Sequence, residues 1–172
     1  MNDMSDSVAF GLLVLRCGVG VVMLAHGIRH IFGGGKIQGT AGWFASLGMK
    51  PGIVHAWLAS LTEVGAGVSL ILGFLTPLGA AGVVGTMLVA LITNHLRNGF
   101  FIFYKGEGYE YVMTLVLAGI ALSALGAGKY SVDHAIDLGW THKTGLMIGG
   151  IGVLGALLLL AVFWRRPPQA EA

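Results

Sequence analysis

Two sets of residues in this chain have the types and spacing to do chemistry in an apolar medium. The first gathers imidazoles, an amide and a carboxylate: His26 and His30 close one apolar stretch, Asn94, His95 and Arg97 close another, and Tyr109 and Glu110 open a third. Imidazole titrates near neutral pH, so histidines beside a carboxylate can hydrogen-bond a quinone headgroup and pass protons. His26 and His30 also have the i, i+4 spacing that sets two rings on one helical face, which leaves metal ligation open. The plain alternative is that boundary side chains snorkel to lipid headgroups, and it is preferred for Arg29, His30 and Arg97. His26, His95 and Glu110 are therefore the catalytic candidates, and His26, His95, Arg97 and Tyr109 the ligand-binding candidates. No metal site is assigned.

The second set is Arg16 and Glu63, each inside an apolar stretch where a charge is costly and needs a partner. Arg16 lies about 12 Å in from one end of its stretch and Glu63 about 15 Å in from the opposite end of the next, which puts both near mid-depth of a ~30 Å hydrocarbon core. The expectation is a buried Arg16–Glu63 ion pair that locks two helices, with docking alone as strong a reading as proton handling. Cys17 reads as a small buried apolar residue. His55, His134 and His142 read as interfacial or loop residues without a special task.

What must position these groups is a set of membrane helices. The chain has 172 residues, 55% of them hydrophobic and 10% charged, with a mean hydropathy of +0.81. Soluble domains carry about a quarter charged residues. A net charge of +2, carried by scattered Lys and Arg, excludes nucleic-acid binding through a basic footprint. The single cysteine excludes an internal disulfide or a Cys-x-x-Cys pair, so any thiol chemistry belongs to a partner. Five segments pass the length test for crossing a bilayer, residues 8–32, 53–75, 78–95, 109–126 and 145–164. The first is too long for a signal-peptide core and is expected to stay as an anchor.

Within the first segment Arg16, Val19, Gly20, Met23, His26, Gly27 and His30 share one face at 100° per residue, a polar and glycine-rich stripe for its neighbours. Trp43, Phe44 and Leu47 in the loop that follows suit a short helix lying in the interface. Residues 127–144 read as a solvated cap with one helical turn. The last segment has neither charge nor histidine in its core and reads as an anchor or a helix–helix contact. With the N-terminus outside, seven Lys and Arg lie on the inner side and two on the outer, so the positive-inside rule orients the chain N-out and C-in, in a plasma membrane. Arg165-Arg166-Pro167-Pro168 then reads as the inner anchor.

Several of these pieces together resemble the DoxX family of small bacterial and archaeal membrane proteins. They are the Arg16 helix ending Leu24-Ala25-His26-Gly27, Trp43-Phe44-Ala45-Ser46-Leu47-Gly48, Leu61-Thr62-Glu63-Val64-Gly65-Ala66-Gly67, His95-Leu96-Arg97-Asn98-Gly99-Phe100-Phe101 and Gly108-Tyr109-Glu110-Tyr111, with Gly126-Ala127-Gly128-Lys129-Tyr130-Ser131-Val132-Asp133 closing the series. The resemblance implies an all-α, polytopic helix bundle: a four-helix core within residues 1–135, with an outer loop, a fifth transmembrane helix and a basic tail added in residues 136–172. It also implies a membrane subunit or partner of a quinone-linked redox system that handles thiol, sulfur or oxidative stress. The alternative is a non-catalytic chaperone or assembly factor, and small-solute transport ranks last. No covalent haem motif or flavin fingerprint is present in the sequence, so the candidate electron carrier is a diffusible quinone or belongs to a partner. The expected partners are the bilayer and a protein of the same complex, with a homo-oligomer left open.

Overall fold

A computed structural model describes residues 6–167. Pro168 of the basic tail and the first five residues lie outside that range. The chain folds as α1 (Asp6–Phe32), α2 (Lys36–Ser46), α3 (Gly52–Leu72), α4 (Thr76–Ala90, continued by a π-helical turn over Leu91–His95), α5 (Glu110–Leu125), α6 (Val132–Ala135) and α7 (His142–Phe163). Among the described residues four helices are long and apolar enough to cross a membrane: α1, α3, α4 with its π-turn, and α7. The span expected over residues 109–126 is α5, which is apolar but has 16 residues, about 24 Å at the helical rise. The chain is a multi-pass membrane protein of the all-α class.

Helices in lipid gain little from burying apolar surface, so they associate by close packing, and small residues mark where backbones meet. α1 and α3 cross in this way. A Cβ on Gly20 would stand 2.9 Å from the Gly67 carbonyl oxygen, and one on Gly27 would stand 2.8 Å from that of Ser60. Most of the face expected from the sequence is the one used: Arg16, Val19, Gly20, Met23 and Gly27 are buried, whereas His30 is half-buried and His26 is exposed. The main core, with Met23, Leu70, Val83 and Leu115 among its members, lies where α1, α3, α4 and α5 meet. α7 packs outside this core, against α4 and α5. A second cluster joins Phe44 of α2, Met49, Ala56 of α3 and Leu160 of α7.

Each end of the bundle is fastened differently. At one end Asp133, 1% exposed, accepts hydrogen bonds from the backbone N–H groups of Leu75 (2.7 Å) and Thr76 (3.0 Å). It thereby caps the N-terminus of α4, where donors have no helical partner and negative charge is favoured. The loop expected as a solvated cap thus contributes a buried fastening, through its short helix α6. At the other end the Trp164 Nε1–H donates to the Leu47 carbonyl (2.9 Å), and the Arg165 N–H donates to that of Gly48 (2.9 Å). This clasp ties the end of α7 to the turn between α2 and α3.

Candidate functional site

Arg16 and Glu63 do not meet. The Arg16 guanidinium lies at the Asp133 end and donates to the carbonyls of Leu70 (2.7 Å), Ile71 (2.9 Å) and Tyr130. The last turn of a helix leaves carbonyls without intrahelical partners, and at the end of α3 this buried cation satisfies two of them. The antiparallel crossing explains the correction: Gly20 faces Gly67 and Gly27 faces Ser60, so Arg16 comes level with Leu70. Glu63 is left about 11 Å lower on α3. Equal depth within a membrane does not imply contact when the crossing is already fixed by glycines.

The partner of Glu63 is His30. Its Nδ1 lies 3.1 Å from Glu63 Oε2, with side-chain exposures of 19% and 5%. The two groups meet at ion-pair distance without the alignment of a hydrogen bond. The aromatic rings of Trp43 and Phe44 on α2 flank His30, each with its centroid 6.3 Å from the imidazole. The short helix expected from the Trp43-Phe44 pattern therefore serves as a wall for this histidine. His30, read from the sequence as a boundary residue, faces inward because the crossing turns its side of α1 toward α3.

This pair lines a cavity of ≈540 Å³, whose walls come from α1 to α5, α7 and the 98–108 loop. Polar groups on the walls include His26, His30, His55, Glu63, Asn94, His95 and Tyr111, and most of the remaining surface is aliphatic or aromatic. His26 stacks on Tyr111 at a centroid distance of 6.3 Å. His55, expected at the interface, is instead 3% exposed, with its ring edge-on to Phe163 at 5.2 Å. Neither of its ring nitrogens has a hydrogen-bond partner. A spacing signal was present for these α3 residues, since His55, Ala59, Thr62 and Glu63 recur at helical intervals on one face.

The expected site residues are gathered only in part. His26 and His95 reach the same cavity, whereas Glu110, Arg97 and Tyr109 do not line it. α5 begins at Glu110, so Tyr109 packs on Phe100 (5.4 Å) and the core, and Tyr111 lines the cavity in its place. Arg97 is exposed. His95 is already engaged: its Nδ1 lies 3.0 Å from the Glu107 carbonyl oxygen and its Nε2 lies 3.2 Å from Asn94 Nδ2. With the Asn94 amide donating to Nε2, the Nδ1–H donates to Glu107. His95 thus holds the 98–108 loop across the cavity floor. The π-turn over Leu91–His95 turns the residues after it by about 100° relative to a continued α-helix. No sequence pattern announced it.

α7 also lines the cavity, through Ile151, Gly152, Gly155, Ala156 and Leu159, in addition to the anchor or helix–helix contact expected of it. Among the described residues, no three His, Cys, Asp or Glu side chains are gathered to hold a metal ion. The arrangement is a membrane-embedded pocket with an apolar lining and a few convergent polar groups, the usual make-up of a small-molecule site.

A family comparison decides the relationship: residues 11–96, half of the chain, match DoxX. The chain belongs to the DoxX family. The DoxX match runs from α1 through the π-turn, so it contains Arg16, His26, His30, His55, Glu63 and His95, whereas Tyr111 and the α7 wall lie beyond it. Among curated proteins and among solved structures, nothing matches the chain.

Proposed function

We propose that this DoxX-family protein is the membrane partner of a quinone-linked redox system and that its cavity takes the ring of a lipid-soluble quinone. The observation that carries the proposal is the His30–Glu63 pair in the wall of an otherwise apolar cavity. A carboxylate and an imidazole are costly at membrane depth, and such groups usually mark a proton or ligand path. Glu63 Oε2, which has an ion-pair contact but no hydrogen bond, and both nitrogens of His55, which have none, suit a ligand that brings its own acceptors and exchangeable protons. When bound, a quinone supplies a two-electron, two-proton acceptor. His26 and the Tyr111 hydroxyl are the donors available to its carbonyls from α1 and α5. The His30–Glu63 pair is the group in the wall that can exchange a proton with the ligand. His95 positions the floor rather than reaching the ligand. The single cysteine excludes a dithiol donor within the chain, and on this proposal the electrons come from a partner protein. The excess of basic residues at the histidine end supports an N-out, C-in orientation in a plasma membrane, with that end on the inner side.

Binding of a quinone analogue to purified protein in lipid nanodiscs tests this reading. Loss of one charge-assisted hydrogen bond is worth about 1.5–3 kcal/mol, roughly ten- to a hundredfold in affinity. His26→Ala and Glu63→Gln should each weaken binding by at least about tenfold. Unchanged affinity in both variants overturns it, and a stoichiometric partner purified without any quinone supports the assembly-factor alternative.

A further inference from the structure

The cavity extends well beyond its polar groups. On α4 alone its lining runs from Ala81 to His95, fourteen residues or about 21 Å at the helical rise. α3 and α7 both pack on α4, but they meet at the base, where the rings of His55 and Phe163 touch, and are not packed together above it. Leu58 on α3 and Ile151 on α7 line the cavity and are 48% and 64% exposed. The cleft between these helices therefore opens sideways at hydrocarbon depth. Gly155 lines it too, and a Cβ built there would meet no atom within 4 Å. At its foot His55 is almost wholly buried, faces the cavity and has no partner for either ring nitrogen. A buried polar ring beside open space calls for a polar group from the occupant.

We propose that the α3–α7 cleft is a lateral port and tail groove for an amphipathic membrane lipid of the isoprenoid-quinone class. The polar head lies at the polar end of the cavity, where His55 joins His26, His30, Glu63 and Tyr111 in the lining, the long apolar chain lies between α3 and α7 over Gly155, and the ligand enters sideways from the bilayer. The identity of the head rests on the quinone reading above; the chain and its route do not follow from that reading. Inside a bilayer the chain exchanges lipid for protein contacts, so its affinity comes from fit to the groove rather than from escape from water. A side chain that fills the groove should abolish that fit.

The test uses the full chain in nanodiscs with two probes, a tailless quinone and a quinone with a decyl chain ending in a photoreactive diazirine, titrated by quenching of tryptophan fluorescence. Gly155→Leu should weaken binding of the tailed probe at least tenfold and move the tailless one less than twofold. Gly150→Leu, at another glycine with nothing within 4 Å of a built Cβ but outside the cavity lining, should leave both probes unchanged. The diazirine, at the end of the chain remote from His55, should label the cleft wall of α7 around Ile151 and Gly152. Labelling elsewhere, or equal effects of Gly155→Leu on both probes, overturns the port. If only the tailed probe binds, and labels the cleft, the port stands and the quinone-head reading falls. If neither probe binds, both fall.

Discussion

Replacing Arg16 with methionine keeps most of the side-chain stem and removes the guanidinium that three backbone carbonyls share. Hydrogen bonds within membranes measure about 0.6 kcal/mol on average and about 1.7 at most. Three of them lost together give about 2–5 kcal/mol. The loss should show in reversible unfolding of the purified protein from lipid micelles by a denaturing detergent, followed by tryptophan fluorescence. The informative comparison is a double-mutant cycle with Glu63→Gln. Arg16 binds about 11 Å along α3 from Glu63 and shares no partner with it, so the two effects should add to within about 0.5 kcal/mol. An Arg16→Met cost below about 1 kcal/mol would refute the assignment of the three carbonyls. A coupling above about 1 kcal/mol would restore the direct ion pair that depth alone suggested.

Other consequences follow from the same contacts. Asp133→Ala removes both caps at the start of α4 and should cost about 1–2 kcal/mol in the same unfolding assay, whereas loss of a merely solvated loop residue would cost almost nothing. His55→Phe removes an unpartnered polar ring and stacks on Phe163, so the ligand-free protein should melt at the same temperature or higher while quinone affinity falls. The Asp6 carboxylate, 2.7 Å from Lys129 Nζ, raises the Lys129 ammonium above its usual pKa, chiefly through their hydrogen bond. A raised lysine pKa means that the contact contributes below the ordinary value of about 10.4 and is lost as pH rises through the folded-state value. Asp6→Asn should therefore lower the Lys129 titration midpoint observed by NMR.

The helices were legible because long apolar runs leave few alternatives: all five expected segments are helices, α1, α3, α4, α5 and α7, although α5 falls short of the length that the other four reach. The buried stripe of α1 was legible for the same reason, since glycines at helical spacing must face another backbone. Pairings between helices were not. The Gly20–Gly67 and Gly27–Ser60 contacts fix which residues come level, and a sequence alone gives depth without register. That is why Glu63 was matched with Arg16 instead of His30. The site was also blurred by small local steps: one residue separates Tyr109 in the core from Tyr111 in the cavity, and the π-turn shifts His95. His55 reads as interfacial from the sequence because a histidine near a helix start looks so until α7 is found covering it through Phe163.

The most direct measurement is the quinone content of protein purified from membranes in mild detergent, extracted and quantified against protein for the wild type and for His30→Ala and Glu63→Gln. A quinone retained near one per chain in the wild type and lost in both variants is the predicted result. Trace quinone at the same level in all three preparations would contradict a ligand site built on the His30–Glu63 pair.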